Sequence, residues 1–144
     1  MPGKIVVGVD GSDPSVEALR WALDEAAVHG ASVEAIHAWQ YPYVADVTGM
    51  AAYPLDRREV EEAARTTLAR AVEAAGPPPA GVAVEQVLAP GGAAGVLVDA
   101  ARDADLLVVG TRGHGGFSGL LLGSVSQQCT HHAPCPVVVV PARR

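Results

Sequence analysis

Three short stretches of this chain contain nothing polar: Ile5 to Val9, Leu106 to Val109, and Val137 to Val140. Each is bounded by turn-forming residues, Asp10-Gly11-Ser12-Asp13-Pro14 after the first, Gly110 after the second and Pro141 after the third. A strand with one face in water alternates apolar and polar residues. A strand with no alternation is covered on both faces. Such runs predict a sheet with helices packed on both sides, a parallel α/β architecture.

The intervening segments carry the helical period that this architecture needs. Leu19, Ala22, Leu23, Ala26 and Ala27 share a face after Asp13-Pro14, a capping residue followed by a proline at the first helical position; Gly30 is placed to end that helix. Val33 to Trp39 reads as a second strand with Glu34 and His37 interleaved, and Gln40 to Pro54 as a loop. From about residue 55 to Ala75 the positions Val60, Ala64, Leu68, Ala71 and Val72 repeat at helical spacing until Gly76 and prolines 77 to 79 stop them. Val82 to Leu88 predicts a third strand, Ala93 to Arg102 a helix, and Ser124 to His132 a short last helix.

Five strands alternating with four helices, with no linker and no internal repeat, predict one domain over residues 1–144. The first and fourth strands are the most uniformly apolar of the first four and belong in the sheet centre. If they are neighbours, Asp10 and Gly110 flank a topological switch point, where open α/β sheets take ligands. The fifth strand, last in the chain, belongs at an edge. Its four valines would invite pairing with another copy.

Charge excludes several partner classes. Ten basic against sixteen acidic residues leave a net charge of −6, and Arg57-Arg58 is the only internal basic pair. A nucleic-acid partner is disfavoured, as is an anionic membrane. The first apolar run is far too short to span a bilayer or to form a signal-peptide core, so a cytoplasmic protein is expected. Two cysteines build no disulfide framework.

The segment Gly110-Thr111-Arg112-Gly113-His114-Gly115-Gly116-Phe117-Ser118-Gly119-Leu120-Leu121-Leu122-Gly123-Ser124-Val125-Ser126 joins the fourth strand to the last helix. Its glycines let backbone amides approach a ligand closely. The helix start at Ser124 aims unpaired amides and a positive dipole end the same way. These parts suit a phosphate chain. Two familiar phosphate motifs are absent: the P-loop needs a lysine, and Lys4 is the only one in the chain; GxGxxG fails because Ser118 stands where its last glycine should be.

Gly110-x-x-Gly113, nine residues, then Gly123-Ser124 resembles the G-2x-G-9x-G-(S/T) signature of ATP-binding universal stress proteins. The opening Ile5-Val-Val-Gly-Val-Asp-Gly-Ser12 is similar to that family's first strand and turn, and His132-Ala-Pro-Cys-Pro-Val-Val-Val-Val140 to its usual close. The resemblance implies a Rossmann-like, adenine nucleotide alpha hydrolase-like sheet in order 3-2-1-4-5, and a homodimer joined through Val137, Val138, Val139 and Val140. It also implies site roles. Gly8, Val9 and Asp10 border adenine and ribose, and Ala38 touches the adenine. Gly110, Arg112 and Gly113 meet ribose and phosphates, with Gly123, Ser124, Val125 and Ser126 closing around the phosphate chain. ATP is the implied ligand, with Mg2+ or Mn2+ bridging its phosphates and no dedicated protein cage.

Other constellations are weaker. Cys129, His131, His132 and Cys135 match no usual zinc spacing, and no G-x-S-x-G elbow supports a serine hydrolase. Trp21 and Trp39 read as packing residues, His114 as an exposed loop residue able to tune phosphate binding, and tyrosines 41, 43 and 53 as loop residues able to cover a nucleotide. No general base or nucleophile is evident beside the cradle. The expectation is a dimeric nucleotide-dependent regulator in stress response, with no catalytic residue and no protein metal site. A slow ATPase or phosphotransferase, a cyclic-AMP binder and a nucleotide-free interaction dimer are the alternatives.

Overall fold

A computed structural model of the chain describes residues 3–41, 56–111 and 122–141. The five expected strands are present: β1 (Lys4–Gly8), β2 (Ser32–Trp39), β3 (Val84–Pro90), β4 (Leu106–Gly110) and β5 (Val137–Val140). All pairings are parallel, and the order is β3-β2-β1-β4-β5. The helices are α1 (Asp13–His29), α2 (Arg57–Ala75), α3 (Ala93–Ala100), continued by a 3-10 turn over Ala101–Asp103, and α4 (Ser124–His132).

The doubly apolar runs lie where burial on both faces is available. β1 sits between β2 and β4, with Ile5 beside both Val33 and Leu106. Its residues alternate between two cores. Ile5, Val7 and Val9 join Leu19, Leu23 and Leu68 under α1 and α2, while Val6 joins Ile36, Leu97, Leu107 and Cys129 under α3 and α4. Each fully buried aliphatic side chain is stabilising by about 1.5–3 kcal/mol relative to exposure. The two cores together fix the register of the central strands, because a one-residue slip would exchange their contents.

Local chemistry moves several element ends from their expected positions. Ser12, not Asp13, caps α1: its hydroxyl accepts from the Ser15 N–H, and Pro14 lies in the first turn. Gly30 ends the helix in the left-handed region at φ 66°. β3 starts two residues later than its apolar pattern suggests, because the Val82 N–H is turned back onto Pro79 O. It then continues to Pro90, which pairs with Trp39. A proline is tolerated there because β3 is an edge strand.

β5 is the opposite edge. Leu107 N–H donates to Pro136 O, and Thr111 N–H donates to Val140 O. In a parallel ladder alternate residues face the neighbour. Val138 therefore turns its backbone groups toward β4, and Val137 and Val139 turn theirs to the open side.

Candidate functional site

The carboxyl ends of β1 and β4 lie side by side, as a switch point requires. After β1 the chain turns sharply through Asp10, Gly11 and Ser12, with Gly11 at φ 87°. The Asp10 carboxylate accepts from the Ser12 N–H at 2.9 Å and from the Ser12 hydroxyl. Ser15, buried, donates to Ser12 O at 2.9 Å and accepts from the Asp10 N–H at 3.3 Å. The turn is thus locked to the first turn of α1, and the Asp10 carboxylate is oriented by it.

Two glycines let the surrounding elements close on this edge. A Cβ on Gly110 would stand 2.9 Å from the carbonyl carbon and oxygen of Pro14, so α1 starts directly against the end of β4. A Cβ on Gly8 would stand 2.6 Å from Leu97 Cδ1 of α3. These residues serve close approach, whatever else they meet.

The start of α4 completes the edge. Its N-cap is Gly123, which supplies no side-chain cap. Gly123 N–H donates to Thr111 O at 2.6 Å, and Gln127 N–H closes the first turn onto Gly123 O at 3.0 Å. The backbone N–H groups of Ser124, Val125 and Ser126 have no acceptor among the described residues. The first amides of a helix are unpaired donors carrying the positive end of its dipole. Ser124 is exposed, its hydroxyl accepting from Gln128 Nε2 at 3.1 Å. Ser126 is 3% exposed and donates its hydroxyl to Gly110 O at 2.5 Å.

The expected site residues therefore fall into groups. Gly110, Gly123, Ser124, Val125 and Ser126 come together where β4 meets α4, and Gly8 and Asp10 lie on the adjacent strand end. Ala38 is late in β2 and, by strand alternation, on the same side as Ile36, the α3–α4 side. The Val9 side chain is buried in the α1–α2 core; its N–H donates to Ile36 O at 2.8 Å, and its carbonyl accepts from His37 Nδ1 at 2.7 Å. Arg112, Gly113, His114, Tyr43 and Tyr53 lie outside the described residues. Two residues without an expected role also hold the site: Thr111, whose backbone links β5 to Gly123, and Ser15, which locks the Asp10 turn. Neither sits in a repeating pattern; only their places beside Gly110 and one turn after Asp10 could have signalled them.

Over residues 1–141 the chain matches the model of the Universal stress protein family. The chain belongs to the universal stress protein family. Universal stress protein Rv2005c of Mycobacterium tuberculosis is 37% identical over 135 residues, which cover 94% of this chain but 44% of that protein. The chain spans about half the length of the curated relatives it matches. A solved universal stress protein in complex with cAMP superposes with a TM-score of 0.71 at 27% identity, covering 99% of this chain and 98% of the other. One from Archaeoglobus fulgidus in complex with dAMP gives 0.65 at 26% identity, covering 97% of both.

The strand order β3-β2-β1-β4-β5 is the one that the resemblance implied. Other chemistry is sparse. Among the described residues no three His, Cys, Asp or Glu side chains converge as metal ligands, and no helix is long and apolar enough to cross a membrane. Burial pushes the Cys129 thiol up to about 11. Cys135 is also raised, by burial first and then by the nearby Asp105 charge, against a lowering backbone hydrogen bond from Leu107. Both shifts disfavour the thiolate, which is the nucleophile and the ligand.

Proposed function

We propose that this chain is a nucleotide-dependent regulator that binds ATP at the carboxyl edge of β1 and β4 and works as a homodimer through β5. The observation that carries the reading is the start of α4, where the amides of Ser124, Val125 and Ser126 point from a helix end with no acceptor among the described residues. Such an end binds phosphate without a lysine. Complexes of similar proteins with cAMP and dAMP support an adenine nucleotide as the ligand class. Asp10 and Ala38 would border adenine and ribose, and Arg112 and Gly113 would add to the phosphate cradle. Mg2+ or Mn2+ would be carried by the phosphates, supplying charge neutralisation.

This donor set holds charge in place, which suits binding better than hydrolysis. Equilibrium dialysis against magnesium-ATP tests the reading, with Gly113→Glu as a steric block. Retention by the wild type and loss in the variant are expected; no retention at millimolar ATP overturns it. A single-turnover incubation separates the enzyme reading, since ADP accumulating in step with protein would show hydrolysis.

The two nucleotide complexes favour a second reading, in which a monophosphate is the resident ligand. Three helix-end amides suffice for one phosphate. Competition of AMP and cAMP against ATP in the same dialysis ranks the two. The role in stress response and a cytoplasmic location follow from family membership as proposals.

A further inference from the structure

A cleft of about 520 Å3 opens on the other side of the Asp10 turn, between the first turns of α1 and the second half of α2. It is distinct from the α4 cradle: His37, which lines it, projects to the α1–α2 side, opposite Ala38. Small side chains make the space, with Ala71 and Ala74 of α2 facing Val16 of α1. Its volume falls within the range of small-molecule sites, about 300–1,000 Å3.

The polar groups of the cleft carry both signs. Arg70 brings a guanidinium from α2, and Asp13 a carboxylate from the start of α1. Neither has an ion-pair or hydrogen-bond partner among the described residues, so they face one cleft without joining each other. His37 donates through Nδ1 to Val9 O, because a carbonyl has no hydrogen to give. Its Nε2 is therefore the ring's open nitrogen. Thr67 donates its hydroxyl to Ala63 O at 3.0 Å and keeps lone pairs for acceptance.

This balance selects a ligand. A simple anion attracted to Arg70 meets the carboxylates of Asp13 and Asp10 in the same cleft, and a simple cation attracted to them meets Arg70. Among the described residues no three side chains there form a ligand set for a bare metal ion. We propose that the cleft is a second site, for a small zwitterion of the α-amino-acid class. Its carboxylate pairs with the Arg70 guanidinium and its ammonium with Asp13, while its side chain lies against Val16, Ala71 and Ala74. Arginine's planar fork suits a carboxylate in two-point contact. Because Asp10 belongs to the cleft and also ends the strand beside the nucleotide cradle, occupancy here adjoins the nucleotide without overlapping the α4 amides.

The test is titration of the full chain with each of the twenty common amino acids, followed by calorimetry and ligand-observed NMR. The N-acetyl and the amide forms of the best binder serve as probes with one charge removed. Binding of at least one free amino acid is expected, weakened at least tenfold by either blocking group. Arg70→Gln and Asp13→Asn should each weaken it at least tenfold, with unchanged thermal melting and ATP retention. No binding of any free amino acid at 20 mM overturns the proposal, as does equal binding of the blocked forms or of inorganic phosphate. If Asp13→Asn lowers melting, Arg70→Gln decides, because Arg70 is exposed and outside both cores.

Discussion

The buried hydroxyl of Ser126 donates to the carbonyl oxygen of Gly110, 2.5 Å away and sixteen residues earlier in the chain. This bond ties the first turn of α4 to the end of β4, across the whole glycine-rich segment. The helix start is held by the sheet, so the amides of Ser124, Val125 and Ser126, which have no acceptor among the described residues, are fixed relative to the end of β4.

Ser126→Ala should destabilise the domain by about 1–2 kcal/mol, because it leaves the Gly110 carbonyl short of a partner in a part-buried place. Urea unfolding measures this. If the bond aims the amides as described, nucleotide affinity falls as well, although the hydroxyl itself is committed to Gly110.

Glycines 8 and 110 should respond differently to alanine. Gly110→Ala drives a methyl against the backbone of Pro14 at 2.9 Å, and overpacking of this kind costs about 1–3 kcal/mol. Gly8→Ala meets the side chain of Leu97 instead. Its cost should shrink in a Leu97→Ala background, with a coupling of at least about 0.5 kcal/mol in a double-mutant cycle. Gly110→Ala should show no such relief.

Alkaline pH should weaken the fold through Cys129. The unfolded thiol titrates near 9.0, whereas burial holds the folded one up to about 11. Between those values the unfolded chain has released a proton that the folded chain retains, so stability falls as pH rises. Urea unfolding from pH 8 to 10.5 in reductant, done in a Cys135→Ala background, should show this decline. Cys129→Ala should flatten that part of it. At pH 8 the native Cys129 should resist alkylation that reaches it in urea.

Two neighbouring prolines should separate assembly from folding. Val139→Pro removes an N–H that faces the open edge and should loosen association at least tenfold in sedimentation equilibrium. Val138→Pro removes one that faces β4 and should destabilise the monomer itself by about 1–3 kcal/mol, because a ladder carbonyl is left without its donor. Equal association of the Val139→Pro and wild-type chains would remove β5 from the dimer interface.

The sheet could be read before the structure because burial on two faces leaves a plain mark: runs such as Ile5–Val9 and Leu106–Val109 admit no polar residue. Helix α4 and strand β5 fall on their expected residues for the same kind of reason, with glycine and proline marking their ends. What pattern could not reveal is where hydrogen bonds switch partners. Val82 is as apolar as the strand after it, yet its N–H closes a turn on Pro79. Ser12 and Asp13 are both good caps, and only the backbone at Ser12, with ψ at 158°, decides between them. The proposed phosphate cradle shows in the sequence as a glycine spacing. The α1–α2 cleft does not, because Arg70 and Asp13 are far apart in sequence and each alone reads as a solvated charge.

The two borders of the sheet are unlike. β5 shows an unbroken row of valines, whereas β3 exposes Glu85 and Gln86 and closes with Pro90, which has no hydrogen to donate. A chain with two receptive borders would polymerise, each copy adding the next. If the chain pairs through β5, as proposed, the pair buries that border twice and leaves the charged, proline-ended β3 borders outward. The stoichiometry of that proposed assembly would be limited to two by the border that stays outside it.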